Sequence, residues 1–318
     1  MANRSWLLRL AVGGLSRASC RYKSTQQPAK SVTDEQVQKL LTRMTGLDLD
    51  KVFKTRREPL SQPVYKLVDE HQLKKAQMET VERARELLQM PPVLPQRKEK
   101  GELIQGDAKL AGLEDTNVVF TDISQTESNS SRRIVVREKN GNLREATWNE
   151  RDRMCQIYFP ALGRQLTLPA MLQGSDLARL LKEQRHEEVL ERANIQCEPD
   201  SVDYIRVHHA VYDDIASRGL YDLLRSTRHF GGLLWYLMTR QLLKGIVEDM
   251  LERNLIEDAI DLVGLFKLCY PDYEFSKGST KAGKKCVQEF CEHHGWSDLA
   301  TLASAKINAR EPCSAQAQ

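Results

Sequence analysis

The sequence from Gly174 nearly to its C-terminal end is a succession of helical segments with almost no residues left to join them. Apolar side chains recur there at the spacing of one helical face, and segments 231–243, 245–255 and 256–269 follow one another directly. Helices joined so closely must turn back and pack antiparallel. The pattern therefore predicts a helical-hairpin domain over 173–310. Its segments have the length of tetratricopeptide or pentatricopeptide units, but no signature recurs at a fixed spacing, so a repeat array is not predicted.

The preceding region, 31–115, is predicted to consist of helices and extended connectors. A capping box that begins at Thr33 opens an apolar stripe that stops at Gly46, which predicts a short helix. Residues 51–63 are basic and contain prolines, as expected of an extended connector. A long helix with one thin apolar face is predicted over 69–90, where two prolines follow.

The middle region, 116–172, changes to the alternating pattern of strands. Asn140-Gly141 is a strong hairpin signal between two short alternating runs, and helical spacing resumes at Trp148 until Pro160. The predicted strands cover 118–123, 133–137 and 143–147. The fold class that these patterns predict is α+β, mainly α, with a small antiparallel element between helical parts.

Residues 1–30 differ in composition from the rest of the chain. They contain no acidic residue and an apolar face around Trp6, with hydroxylated residues and six bases: Arg4, Arg9, Arg17, Arg21, Lys23 and Lys30. These properties are typical of a mitochondrial transit peptide, with cleavage expected near 21–25. A secretory signal and a disordered tail are the alternatives. The predicted location is the mitochondrial matrix, and 311–318 is interpreted as a tail.

The charge balance limits how the chain can bind nucleic acid. The sequence has 47 basic and 44 acidic residues, a net charge of +3. Without the six leader bases the balance is 41 against 44, or −3. A protein that binds RNA mainly by coating phosphates would be strongly basic, so any RNA contact here must be local. Seven scattered cysteines in a chain bound for a reducing matrix predict free thiols.

Two motifs suggest ligands but fail in detail. Residues 278–285 approach a phosphate-binding P-loop, yet Lys285 stands where a magnesium-binding hydroxyl is required, so we interpret the segment as a flexible basic loop. The cluster Cys286, Cys291, His293 and His294 contains zinc-binding residue types. On a helix these side chains would fall on two faces, which does not allow tetrahedral convergence. No cofactor and no metal are predicted.

Nothing in the sequence supports catalysis or a membrane span. His208 and His209 fit a hydrogen-bonded position at the edge of a core better than a catalytic base, because no acid or nucleophile stands at a suitable spacing. No nucleophile elbow, zincin helix or dinucleotide fingerprint is present. The longest apolar run, 230–239, is far shorter than the roughly 20 residues of a membrane helix. We therefore predict neither an enzyme nor a small-molecule substrate.

Three basic clusters remain as candidates for RNA contact. They lie on a strand of the hairpin, before the glycine pair at 231–232, and in the basic loop. Phosphate contacts are the functional interpretation, and solvated faces or helix-terminal charges are the alternative. The candidate residues are Arg132, Arg133, Arg137, Arg225, Arg228, Lys281, Lys284 and Lys285.

Several long strings resemble one family. RGLYDLLRSTRHFGGLLWY at Arg218 and EPDSVDYIRVHH at Glu198 are the most specific. They are joined by MPPVL, FTDIS, RRIVVRE, ATWNERDRM and YFP, which begin at Met90, Phe120, Arg132, Ala146 and Tyr158. Together they resemble the animal mitochondrial small-subunit (28S) ribosomal proteins numbered twenty-two, from about Val32 to Pro271. The chain after Pro271 does not share the resemblance.

The resemblance implies a non-enzymatic structural constituent of the mitochondrial small ribosomal subunit. Its expected partners are the small-subunit rRNA and neighbouring ribosomal proteins, and the family supplies no catalytic motif. A free helical-repeat RNA-binding protein of the matrix is the alternative, although the periodic polar code of that class is missing. A matrix enzyme that uses the Cys/His cluster or the near-P-loop is a third possibility.

Overall fold

The computed structural model describes residues 27–54, 65, 67–124, 126–129, 131–273 and 283–308. Most of the predicted transit peptide, most of the predicted basic loop and the predicted tail lie outside these ranges. The first elements are α1 (Glu35–Thr45), α2 (Leu49–Val52), α3 (Glu70–Leu87), β1 (Leu103–Gly106), β2 (Val118–Thr121), β3 (Ile134–Arg137), β4 (Asn142–Glu145) and α4 (Trp148–Tyr158). The rest are α5 (Gly174–Lys182), α6 (His186–Gln196), α7 (Val202–Arg218), α8 (Phe230–Thr239), α9 (Lys244–Glu252), α10 (Ile256–Cys269), α11 (Lys284–His293) and α12 (Ser297–Asn308).

Helix α1 confirms the first predicted helix but begins differently. Asp34, rather than Thr33, caps it by accepting a hydrogen bond from the backbone N–H of Gln36 at 2.9 Å. Gly46 ends it with a φ of +74°. The apolar stripe of α1 is buried against α8 and α10. Although α1 lies in the predicted N-terminal region, it therefore shares the core of the helical-hairpin part.

Helix α3 is the long solvated helix that the sequence predicts. Asp69 and Gln72 form a reciprocal capping box at its start. Only Ala84 is buried along its length, and it ends before Pro91. Along its exposed surface, glutamate and lysine side chains four residues apart form ion pairs with each other, such as Glu70 with Lys74 at 2.7 Å.

The strands form one antiparallel sheet in the order β1-β4-β3-β2. The hairpin β3–β4 and strand β2 are as predicted, whereas β1 was not predicted because its sequence is short and lies in a polar stretch. Ile134 and Val136 point inward and pack with Ala146 against Met154 and Cys155 of α4, which closes a small second core. Their neighbours Arg133, Val135 and Arg137 consequently lie on the outer face.

Gly141 fixes the turn of the hairpin for a steric reason. Its φ is +85°, whereas Asn140 is not left-handed, so only the glycine takes the conformation that side chains disfavour. A Cβ at Gly141 would lie 2.1 Å from the carbonyl oxygen of Asp107. The hairpin turn thus packs directly on the backbone that follows β1.

We expect Gly141→Ala to destabilise the sheet more than Gly112→Ala. Both glycines have positive φ, but a Cβ at Gly112 meets nothing within 4 Å. Gly112→Ala should cost about 1 kcal/mol from backbone strain alone, and Gly141→Ala at least twice that because a backbone clash is added. Urea unfolding of the two variants measures the difference, and equal costs would contradict the close contact.

Three helical hairpins are joined by the same tight turn. The joints α5–α6, α8–α9 and α9–α10 each place a non-glycine residue at a φ between 56° and 59°: Gln184, Gln241 and Asn254. In each, the next backbone N–H donates to a carbonyl five residues back, for example Leu242 to Leu237 at 2.8 Å. This turn allows adjacent helices to pack antiparallel with hardly any connecting residues, as the sequence predicts.

Helix α8 lies in the middle of the main core. Nearly all of its residues are buried, including Phe230, Leu233, Leu234 and Leu237. Its two glycines permit close approach, because a Cβ at Gly231 would lie 2.7 Å from the Met90 sulfur. Among the described helices, none is both long and apolar enough to cross a membrane.

Candidate nucleic-acid interface

Arg132 is buried and does not lie on the exposed face of the hairpin. It is 2% exposed, and its guanidinium N–H groups donate to the backbone carbonyls of Asp122 and Ser124 at 2.7 Å and of Glu127 at 2.8 Å. Its guanidinium carbon lies 3.8 Å from the centre of the Phe159 ring. Arg132 is thus used internally to hold the loop between β2 and β3, and its predicted RNA contact stays a prediction.

Arg228 is also engaged inside the protein. It donates to both carboxylate oxygens of Glu191 on α6, through Nε at 2.6 Å and through Nη2. His229, which is 1% exposed, places its Nε2 at 3.1 Å from the same carboxylate. Burial alone would raise the pKa of Glu191, but hydrogen bonds from His229 and Arg228 outweigh it and lower the pKa to about 2. One carboxylate thus holds two basic residues at the start of α8.

Arg225 belongs to a second internal ion-pair group. Its Nη1 donates to the Asp258 carboxylate at 2.6 Å, its Nη2 lies 3.9 Å from Asp249, and its side chain is only 12% exposed. Both guanidinium groups thus tie helices together, and the predicted phosphate contacts of Arg225 and Arg228 stay predictions. Reversing the charge of Arg225, which is 12% exposed, would break a largely buried pair and cost about 3–5 kcal/mol. Arg228 is 34% exposed, so solvent screening makes the cost of its reversal smaller.

We expect Glu191→Gln to lower the free energy of unfolding at pH 7 by about 3 kcal/mol, since it removes the charge that pairs with Arg228 and His229. The folded-state pKa of Glu191 is lowered from 4.5 to about 2. The difference in free energy of unfolding between the wild type and Glu191→Gln should therefore be fully present above the unfolded-state pKa. It should be lost as the pH falls towards 2. Urea unfolding over this pH range measures it.

Glu188→Gln on the same helix is the matched control. Glu188 pairs with Arg185, and both side chains are about half exposed, at 47% and 48%. Its loss should cost less than about 1 kcal/mol. If both variants lose the same stability, Glu191 does not have the role described.

The remaining candidates are at the surface or outside the described ranges. Arg133 is exposed, and Arg137 is half-buried with its guanidinium carbon 5.9 Å from the Phe120 ring. The Nε of Arg137 is enclosed and has no acceptor among the described residues. Lys285 is exposed on α11. Lys281 and the side chain of Lys284 lie outside the part that the structure describes, so these contacts stay predictions.

The Cys/His cluster contributes to the core around α11. Cys286 and Cys291 are buried, and the His294 ring stacks on Tyr273 with a centroid distance of 5.6 Å. Burial raises the pKa of Cys291 to about 11, the opposite of what a nucleophilic thiol needs. Within the described ranges no three potential metal-binding side chains of the His, Cys, Asp and Glu types come together.

A polar groove between α4 and the start of α7 was not predicted. It has a volume of about 700 Å³, and Trp148 lies on its wall with the Arg97 guanidinium carbon 4.1 Å from its ring centre. Four basic and five acidic side chains line it. This balance does not fit a phosphate backbone, and no local sequence signal could reveal the groove because its walls come from distant segments.

These features define a class of protein: a helical scaffold with a small sheet, whose arginines mainly join its own elements. The chain belongs to the family described as mitochondrial 28S ribosomal protein S22, whose model matches residues 30–271. It is 44% identical over 257 residues to the small ribosomal subunit protein mS22 of Mus musculus, which covers 81% of this chain and 71% of that protein. It is 46% identical over 255 residues to mS22 of Bos taurus, covering 80% and 71%.

Proposed function

We propose that this chain is a structural constituent of the mitochondrial small ribosomal subunit, located in the matrix and without a reaction of its own. Membership of the family carries the proposal, together with relatives that are named as small ribosomal subunit proteins. The buried, high-pKa thiols and the internally paired arginines fit a scaffold. Its task is to join rRNA to neighbouring ribosomal proteins.

Helix α3 is the proposed contact for a neighbouring protein. Leu73 and Leu87 lie on one face of this helix and expose 47% and 50% of their surface. The surrounding charges already pair within the helix, for example Lys75 with Glu79 at 3.9 Å. A surface with apolar side chains and balanced charge suits a protein partner better than a phosphate backbone.

The outer face of β3 is the proposed contact for rRNA. Arg133 and Arg137 lie on this face, and among the residues that the structure describes neither forms an ion pair with a carboxylate, in contrast to Arg225 and Arg228. Arginine can bind two phosphate oxygens at once, so two such residues on a rigid strand provide a local grip. This arrangement agrees with a chain whose overall charge is close to neutral.

We expect the chain to sediment with the small-subunit rRNA in a sucrose gradient of gently lysed mitochondria and to remain with it at moderate salt. An integral subunit component is held by many protein and RNA contacts at once, so screening alone does not release it. Blotting for the chain across the fractions is the measurement. A chain that stays near the top of the gradient would refute the proposal and favour the free RNA-binding alternative.

We expect Arg133→Glu with Arg137→Glu to reduce incorporation into the small subunit several-fold, because two phosphate contacts become repulsive. The measurement is the fraction of tagged chain that sediments with the rRNA as salt is increased. Reversal of the exposed Arg133 should change the free energy of unfolding by no more than about 0.5 kcal/mol. Arg137 is half-buried, so urea unfolding of each single variant checks that a loss of incorporation is not a loss of folding.

The matched control is Lys39→Glu on α1 with Arg179→Glu on α5. These side chains are 73% and 67% exposed and pair with acidic residues three or four positions away in the sequence. Their reversal changes the net charge by the same amount but removes no proposed phosphate contact. If both double variants incorporate equally, the assignment of the β3 face to rRNA is wrong.

A further inference from the structure

Phe120 of β2 is an aromatic side chain that the fold leaves at the surface, with 50% of its area exposed. Its neighbour Val119 is paired with Val136, whose side chain points into the small second core. Since side chains alternate between the two faces of a sheet, Phe120 lies on the outer face. This is the same face that carries Arg133 and Arg137.

The ring of Phe120 lies between these two arginines. Phe120 is paired directly with Val135, so Arg133 and Arg137 are its diagonal neighbours across the strands. The guanidinium carbon of Arg137 is 5.9 Å from the centre of the ring. Along β3 the two arginines lie roughly 13 Å apart, four residues of an extended strand. One exposed aromatic ring thus has a cationic side chain on either side of it.

The guanidinium groups of both arginines are accessible to a ligand. Arg133 is exposed. Of the nitrogens of Arg137, only Nε is both enclosed and without an acceptor. Its terminal nitrogens therefore reach the surface, and they have no hydrogen-bond partner among the described residues. Neither arginine must leave a carboxylate before it binds an anion, unlike the internally paired Arg225 and Arg228.

We propose that the outer face of β2 and β3 binds an unpaired nucleotide of RNA, with its base stacked on Phe120 and neighbouring phosphates on Arg133 and Arg137. The RNA is that of the proposed ribosomal function, on which this inference rests. Stacking on aromatic side chains of a sheet is a common way to bind single-stranded RNA, and every base offers a face for it. A base within a duplex cannot stack in this way, because its neighbours in the helix already cover both faces.

The combination of charge and ring favours unpaired RNA over the other possible occupants. Two guanidinium groups without carboxylate partners attract phosphates, and each can bind two phosphate oxygens. Phosphate contacts alone would not require an aromatic ring at the surface, since a duplex is held mainly through its backbone. A neighbouring protein would fit a surface of balanced charge better, as on α3, where the lysines pair with glutamates of the same helix.

Two carboxylates on this face oppose the binding of a phosphate. The backbone N–H of Asp122 donates to the carbonyl oxygen of Arg133 at 3.2 Å, so the two residues are adjacent across the strands. Hydrogen bonds from Ser124 lower the pKa of Asp122, which is therefore ionised at neutral pH. Glu145 of β4 is paired with Val135 and lies on the same face. The site is thus local, and its affinity depends on the stacked base as well as on charge.

The first experiment compares unpaired with paired RNA. A fluorescein-labelled RNA of about 12 nucleotides without self-complementarity, and the blunt duplex that it forms with its complement, are titrated with the purified full chain. Fluorescence anisotropy measures binding. We expect the single strand to bind at least about fivefold more tightly, although the duplex has the higher charge density. No ribosomal component is present, so a failure here is distinct from a failure to enter the small subunit.

Phe120→Leu tests the stacking. Leucine keeps an apolar side chain at this exposed position but offers no ring. We expect at least about a fivefold loss of affinity for the single strand, no loss for the duplex and an unchanged dependence on salt, since no charge is removed. Tyr158→Leu is the matched control, because Tyr158 is 53% exposed and ends α4, the helix that packs on the inner face. It should change neither affinity.

Arg133→Gln and Asp122→Asn test the phosphate contact. The first variant should weaken binding of the single strand and reduce the slope of log affinity against log salt concentration by about 0.7. The second should strengthen binding by about twofold, because it removes a repulsive charge next to Arg133. Changes in the same direction would contradict a phosphate at this position. The basic residues of 1–30 are present in every variant, so they do not contribute to a difference between variants.

Equal affinity of the wild type for the single strand and the duplex would overturn the proposal. So would a folded Phe120→Leu variant that binds the single strand as tightly as the wild type. An absence of binding at about 0.1 mM chain, the weak limit of non-specific binding, would also overturn it. If the chain nevertheless sediments with the small subunit, the structural role stands and the exposed ring contacts a neighbouring protein instead.

Discussion

The helical part of this protein depends on one carboxylate. Glu191 of α6 accepts hydrogen bonds from Arg228 and His229, which stand immediately before α8. Because α8 lies in the main core and contacts α1 and α7, the position of this short segment fixes how those helices pack against it. The same carboxylate accepts the hydrogen bond from Nε2 of His229, so it also sets the orientation of that buried ring.

The internal ion pairs show why a basic cluster in the sequence does not by itself locate an RNA-binding surface. A cluster such as Arg225 and Arg228 is visible in the sequence, but its acidic partners are not. Glu191 is 37 residues from Arg228, and Asp258 is 33 residues from Arg225. An arginine that is paired in a poorly solvated position gains nothing from facing a phosphate, since it would first have to leave its carboxylate. Only the fold shows that Arg133 is exposed, whereas Arg225 and Arg228 are paired with carboxylates of other helices.

Local patterns predicted most of the architecture, and the exceptions depend on contacts that the local sequence does not show. The hairpin at Asn140-Gly141 and helix α1, closed by Gly46 at a φ of +74°, depend on neighbouring residues and were predicted. Strand β1 is held by pairing with β4 about 40 residues away and has no alternating pattern of its own. The left-handed joints at Gln184 and Asn254 carry no glycine signal, and the strain there is accepted because the helices on both sides pack tightly.

His208 shows what a sequence pattern can predict about a buried side chain and what it leaves open. Helical spacing places His208 beside the apolar stripe of α7, and a hydrogen-bonded residue at the edge of a core is the natural interpretation. The structure adds that its one hydrogen bond, to Tyr204, is made by Nδ1 and leaves Nε2 unpaired. A neutral histidine has one donor and one acceptor, so any fold that satisfies the first within a helix leaves the second to a neighbour. Helical spacing therefore predicts that His208 is buried and hydrogen-bonded, but only the fold shows which of its two nitrogens is paired.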